Sequence, residues 1–155
     1  LLAEAQDLIL LQPKAALLPS VQTKHQFLLH RLGGEPALTA AVEELYIRVL
    51  DDTSLIPFFE GSNLKVLKEH QIVFMRMVFT EVGKDIDVEK MMFAKHYGLF
   101  ENGLNEEHFD TLMRHFVRSL QHIHVEKAVI DEALSRIVPL RVVFETGAAK
   151  FKEAN

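Results

Sequence analysis

The stretch Phe58-Phe59-Glu60-Gly61-Ser62-Asn63-Leu64-Lys65-Val66-Leu67-Lys68-Glu69-His70-Gln71-Ile72-Val73-Phe74-Met75-Arg76-Met77-Val78 decides how this chain is read. At about 100° per residue, Leu67, His70, Gln71, Phe74, Met75 and Val78 fall on one side of a helix, at i, i+3, i+4, i+7, i+8 and i+11. Four of the six are the apolar residues that a core-facing stripe requires. His70 and Gln71 put an imidazole and a carboxamide into that stripe. A buried polar group without a partner costs roughly 1–3 kcal/mol on mutational scales, so the pattern expects something opposite that uses these groups. A lone histidine on an apolar face is more often a satisfied core residue than a ligand. A second histidine and an aromatic wall add weight to the ligand reading.

The rest of the composition narrows the field. One hundred and fifty-five residues are enough for one domain that closes around a buried ligand. The net charge of −5 comes with no basic run, which argues against a nucleic-acid partner. Eleven phenylalanines and no tryptophan suit the lining of a dry cavity. With no cysteine there are no disulfides, thiol nucleophiles or thiolate-bound metals, which is compatible with a reducing compartment. The richest apolar run, from Leu8 to Leu18, is broken at Gln12, Pro13 and Lys14 and is too short to span a bilayer. The first residue is Leu1, so a removed targeting segment or an upstream domain stays open. The expected location is the cytoplasm, or an organelle interior if such a segment was removed.

Taken in order, the chain predicts helices and no alternating strand. Residues 1–12 are helix-prone and amphipathic, fenced off by Pro13 and Pro19. Ser20 can cap a helix over 21–32, which Gly33-Gly34 stops by supplying positive φ. A helix over 35–51, with Pro36 in its first turn, buries Leu38, Val42, Leu45, Tyr46 and Val49. Asp51 to Ser54 is a polar turn and Leu55 to Phe59 a short one, and Asn63 caps the central helix. Glu81 to Asp87 reads as a charged loop containing Gly83. A short helix over 88–97 groups Met92, Phe93, His96 and Tyr97, and Gly98 and Gly103 mark the loop after it. Asn105 caps a helix over 106–121 whose first turn carries Glu106 and Glu107. The last helix, from Val125 to Lys152, is expected to kink at Pro139. The fold class is all-α.

The order of these features resembles the truncated haemoglobins, the short globins with a two-over-two helical sandwich, and their first group most. The resemblance rests on Arg31-Leu32-Gly33-Gly34, Leu45 to Asp52, Pro57-Phe58-Phe59-Glu60-Gly61, His70 to Phe74, Met92 to His96 and Gly103 to Asp110. It covers about residues 27–146. It implies a globin domain over 27–155, preceded by an N-terminal helical extension over 1–26, with haem as cofactor and the central helix over its distal face. By position His96 resembles the proximal iron ligand, Phe59 resembles the phenylalanine packed against the porphyrin, and Met92, beside His96, is a further candidate cofactor-binding residue. Tyr46 resembles the tyrosine that hydrogen-bonds bound oxygen, and Gln71 the glutamine that joins it. Leu67 faces the ligand one turn earlier. Phe74 resembles a gate beside an apolar tunnel, with plain core packing as the alternative. His70 matches a position where some relatives supply a sixth iron ligand and others keep a side chain outside, near a propionate; its place on the inward stripe favours iron ligation. Lys68 and Lys95 are candidate propionate partners, or plain solvated charges.

The resemblance therefore implies a haem protein that binds O2, NO or CO, and that oxidises nitric oxide to nitrate when a separate reductase returns the iron to the ferrous state. A bis-histidyl sensor or electron-transfer module is the alternative. A haem-free helical interaction domain is the third reading, and the presence of His96 counts against it. One departure is noted: the family's second glycine pair is reduced to Gly83. His108, His115 and His122 recur every seven residues on one helix. Neighbours along that axis stand about 10.5 Å apart, too far to share a metal with bonds of about 2 Å. His108 is expected to be structural, and His122-Ile123-His124 an exposed turn.

Overall fold

Leu38, Val42, Leu45, Tyr46 and Val49 repeat at i, i+4, i+7, i+8 and i+11, and all are buried in the structure. The structure is a computed structural model that describes residues 27–80 and 85–153. The predicted helix over 1–12, most of the one over 21–32 with its Ser20 cap, and Gly83 lie outside the described residues.

Among the described residues every regular element is helical. The α-helices are α1 (Leu28–Leu32), α2 (Gly34–Leu50), α3 (Leu64–Thr80), α4 (Val88–Glu101), α5 (Glu106–His122), α6 (Lys127–Ile137) and α7 (Arg141–Lys152). One-turn 3-10 helices occupy Ile56–Phe58 and Val138–Leu140. The pair α2 and α3 packs over α5 and α7, with α2 on α5 as the most extensive contact, which makes a two-over-two sandwich. α4 leans on α7, and α1 closes one end against α2, α3 and α6.

The turns form as their residues dictate. Gly33 has φ 121°, and a Cβ there would come within 2.7 Å of Ala37 Cβ, so only glycine makes this corner. The Asp52 carboxylate accepts from Ser54 N–H at 2.9 Å, closing the turn after α2. Asn63 accepts from Val66 N–H at 3.3 Å, the expected cap of α3. Asn105 and His108 form a reciprocal capping box: Asn105 accepts from the N–H groups of Glu107 and His108, and His108 Nδ1 accepts from Asn105 N–H at 3.1 Å. His108 is thus structural, as expected. His115 and His122 pair instead with Asp52 and Glu44.

Three sequence expectations need correction. The helix after the charged loop does not end near residue 97 but runs through Gly98 to Glu101. It stops in a Schellman turn, where Gly103 N–H donates to Phe100 O and Leu104 N–H to Leu99 O. Gly98 faces open space and costs the helix only its intrinsic propensity. The final helix does not kink at Pro139 but divides, because a 3-10 turn absorbs the proline's missing N–H. The core-facing stripe, finally, is not buried throughout. Leu67 and Met75 are buried, while His70, Gln71, Phe74 and Val78 are half-buried and Phe79 is fully buried. Phe79 stacks on Phe116 with centroids 6.5 Å apart, on a second face of the helix.

Candidate functional site

The half-burial of His70, Gln71 and Phe74 has a cause: they face a cavity, which Val78 does not reach. Leu45, Tyr46 and Val49 of α2 and Leu67, His70, Gln71, Phe74 and Met75 of α3 line it. Met91, Met92, His96 and Leu99 of α4 also line it, with contributions from α5 and from residues 137–144. With its mouth included, the cavity contains about 1240 Å3 of empty space. Only Tyr46, His70, Gln71, His96 and His108 bring polar side-chain atoms to the lining; the remaining lining residues are apolar.

His96 is held in one orientation. It is 7% exposed, and its Nδ1 lies 2.8 Å from the carbonyl oxygen of Met92, one turn earlier on α4. A carbonyl can only accept, so Nδ1 carries the hydrogen and Nε2 keeps its lone pair. Burial pushes the pKa of His96 down to about 4, outweighing the Met92 bond, which acts in the opposite direction. The ring is therefore neutral at pH 7. Phe100 and Phe144 stand 6.2 Å and 5.5 Å away between centroids and wedge the ring in place.

A different wall carries the hydrogen-bonding groups. Tyr46 is 4% exposed, and burial raises its phenol to about 12, so it keeps its proton and remains a donor. Phe59 packs edge-on against it at 5.9 Å and 79°. Among the described residues neither the Tyr46 hydroxyl nor the Gln71 carboxamide has a protein hydrogen-bond partner. Two buried or half-buried polar groups thus point to a ligand in the cavity for their satisfaction.

A haem needs an apolar cleft for its ring, a neutral nitrogen with a free lone pair, and polar groups on another wall for the iron's second ligand. The residues present fit all three. Phe59, Leu67, Phe74 and Met92 supply apolar surface, and His70 lines the same cavity from α3. All eight site residues expected from the sequence meet in this one space. Lys68 and Lys95 are not in its lining, and Lys68 Nζ pairs with Glu43 at 2.8 Å.

The sequence reading missed several wall residues. Phe144 packs on His96, Phe100 and Phe109, with centroids 5.0–5.8 Å away. Phe58 meets His108 edge-on at 4.7 Å. Leu99 and Leu104 line the cavity from the two sides of the Schellman turn. The spacing of Leu140, Phe144, Gly147 and Ala148 was a legible apolar stripe. Its direction depended on how α7 packs.

Known proteins resemble this chain in sequence and fold. The bacterial-like globin family matches residues 28–145. A group 1 truncated haemoglobin GlbN from Mycolicibacterium paratuberculosis is 33% identical over 119 residues, covering 77% of this chain and 84% of that one. Among solved structures, Chlamydomonas reinhardtii THB4 superposes with a TM-score of 0.67 at 34% identity, covering 76% of this chain and 94% of its own. A Synechococcus 2/2 haemoglobin, in the cyanomet state and with covalently attached haem, superposes with a TM-score of 0.68 at 33% identity, covering 76% and 97%.

Proposed function

The chain belongs to the bacterial-like globins, the truncated or two-over-two haemoglobins, and on that premise we propose that it holds haem on His96, retains oxygen with Tyr46 and Gln71, and oxidises nitric oxide to nitrate. Haem is its cofactor, and small gaseous molecules are its ligands. When bound, the haem iron supplies reversible ligation of O2, NO or CO and the change of oxidation state that nitric oxide oxidation needs.

The observation that carries this reading is the pairing of a neutral, pre-oriented His96 with an unpartnered Tyr46 hydroxyl across one apolar cavity. His96 Nε2 would hold the iron through its lone pair, and the Met92 carbonyl keeps the ring from turning. Tyr46 donates a hydrogen bond to a ligand that gathers negative charge, and Gln71 supplies a second donor. Leu67 and Phe59 exclude water from the same space. Phe74 lines the apolar approach that a nonpolar gas would use. The globin domain is residues 27–155, and residues 1–26 extend it.

Repeated oxidation of nitric oxide would need an electron donor, because the haem would have to be returned to its reduced state each time. A separate reductase supplies the electron, in the cytoplasm or an organelle interior. A second reading has its own observation: His70 lines the cavity from α3, where its imidazole would offer the haem iron a second nitrogen ligand. That would make the resting protein a bis-histidyl sensor or electron-transfer module.

Absorption spectra of the ferric and ferrous protein, with and without carbon monoxide, test the cofactor. Mixing the oxygenated protein with nitric oxide tests the reaction. One nitrate per haem is expected, and oxygenated protein that yields no nitrate overturns the dioxygenase reading.

A further inference from the structure

A second groove lies on the outside of the sandwich, along α5 and against α6 and the 3-10 turn. Val117, Leu134 and Val138 are among its apolar lining, and Arg114, Arg118 and Arg141 line it too, with Asp110 as its one carboxylate. Val138 is 44% exposed and Val142, one turn on, 42%. Such apolar surface is costly to leave to water. The arginines are unevenly employed. Arg141 forks onto Asp110 at 2.8 Å and 3.0 Å, and Arg114 donates to Thr111 at 2.8 Å. Arg118, exposed, makes no ion pair among the described residues. The groove is therefore an apolar trough with excess positive charge, on a chain whose net charge is −5.

We propose that this groove is the docking site of the chain's own first twelve residues. Their sequence, Leu1-Leu2-Ala3-Glu4-Ala5-Gln6-Asp7-Leu8-Ile9-Leu10-Leu11-Gln12, complements it in three ways. At about 100° per residue, Leu1, Leu2, Ala5, Leu8 and Ile9 share one apolar arc. Glu4 and Asp7 sit on its flank with Leu11 between them, and no basic residue stands between Leu1 and Lys14, so the segment brings negative charge to the arginines. The lengths also agree. Twelve helical residues span about 18 Å, and α5 from Phe109 to Gln121 runs about the same distance. Residues 13–26 can reach up to roughly 46 Å when extended. That is ample to return from α1, which packs on α6, to the groove beside it. Apolar burial supplies the attraction, and the Glu4 and Asp7 carboxylates against Arg114 and Arg118 set the direction.

The absence of cysteine makes a clean test available. Val138→Cys and, as a control, Ile47→Cys each give a single thiol; Ile47 is 63% exposed and far along the chain from the groove. Alkylation by iodoacetamide is measured on the haem-loaded full chain and on the chain lacking residues 1–12. Docking predicts that deletion speeds alkylation at Val138→Cys at least fivefold and leaves Ile47→Cys unchanged. A synthetic peptide of residues 1–12 should restore the protection. Adding Arg118→Glu to the full-length Val138→Cys chain should also raise its rate. Equal rates with and without the segment overturn the proposal. So does protection that rises with protein concentration, since a second copy of the chain would then be the occupant.

Discussion

The Nδ1–H of His96 donates to the carbonyl oxygen of Met92 at 2.8 Å, within the same helix. That one bond assigns the tautomer, and with the phenylalanines around the ring it fixes where the Nε2 lone pair points. His96→Ala should therefore abolish stable haem retention, as no other lining residue on α4 carries a side-chain nitrogen. Haem content after gel filtration measures this. Full content with an unaltered spectrum would remove His96 from its assigned role.

Tyr46→Phe keeps the ring against Phe59 and deletes only the donor. A hydrogen bond to a charged acceptor contributes about 1.5–3 kcal/mol. Oxygen should then dissociate faster by about one to two orders of magnitude. Carbon monoxide, much less polar when bound, should change far less. Stopped-flow rates for both gases decide it, and equal acceleration would mean that Tyr46 acts by shape.

His70→Leu tests sixth-site ligation. If His70 holds the iron at rest, the unliganded ferrous wild type is low-spin and binds carbon monoxide with a slow phase. The variant should be high-spin and lack that phase. A wild type already five-coordinate at neutral pH would leave the open pocket as the resting state.

Gly147 sets how closely α7 approaches α4. A Cβ there would fall 2.5 Å from the Phe100 ring, which is 1% exposed and has little room to retreat. Gly147→Ala should cost about 1–3 kcal/mol by overpacking. Melting should drop by roughly 2–4 °C per kcal/mol. Phe100→Leu in the same chain should recover part of the loss. An unchanged melting temperature for the single variant would show that the two helices part without strain.

Asp52 makes acid stability readable. Hydrogen bonds from Ser54 and then from His115 Nε2, at 2.6 Å, hold its carboxyl at about 2, against an ordinary value of 3.8. A depressed carboxyl pKa stabilises the fold above the unfolded value, and this contribution is lost as pH falls through the folded one. The stability difference between wild type and Asp52→Asn should therefore shrink between about pH 4 and pH 2. Urea unfolding at several pH values measures it. A difference that stays constant over that window would place the turn's stability elsewhere.

Much of the molecule was legible in the residues because much of it is local. Asn63 and Asn105 cap helices through their own side chains, Gly33 turns a corner that a Cβ would block, and the Leu38-to-Val49 stripe buries one face of α2. Periodicity also brought Leu67, His70, Gln71 and Phe74 to one side of α3. What it could not say is what that side faces. The six-residue stripe reads the same over a filled core as over a cavity, and only the packing of α2, α3, α4 and α7 leaves the space on which His70, Gln71 and Phe74 stay half-buried. Phe144 and Gly147 belong to that tertiary part. Phe144 became a wall of the His96 pocket, and Gly147 a contact for Phe100, through helix contacts between positions more than forty residues apart. The His96 tautomer is divided between the two. The four-residue spacing from Met92 is in the sequence, but the burial that keeps the ring neutral comes from Phe100 and Phe144, and only the folded chain brings Phe144 there.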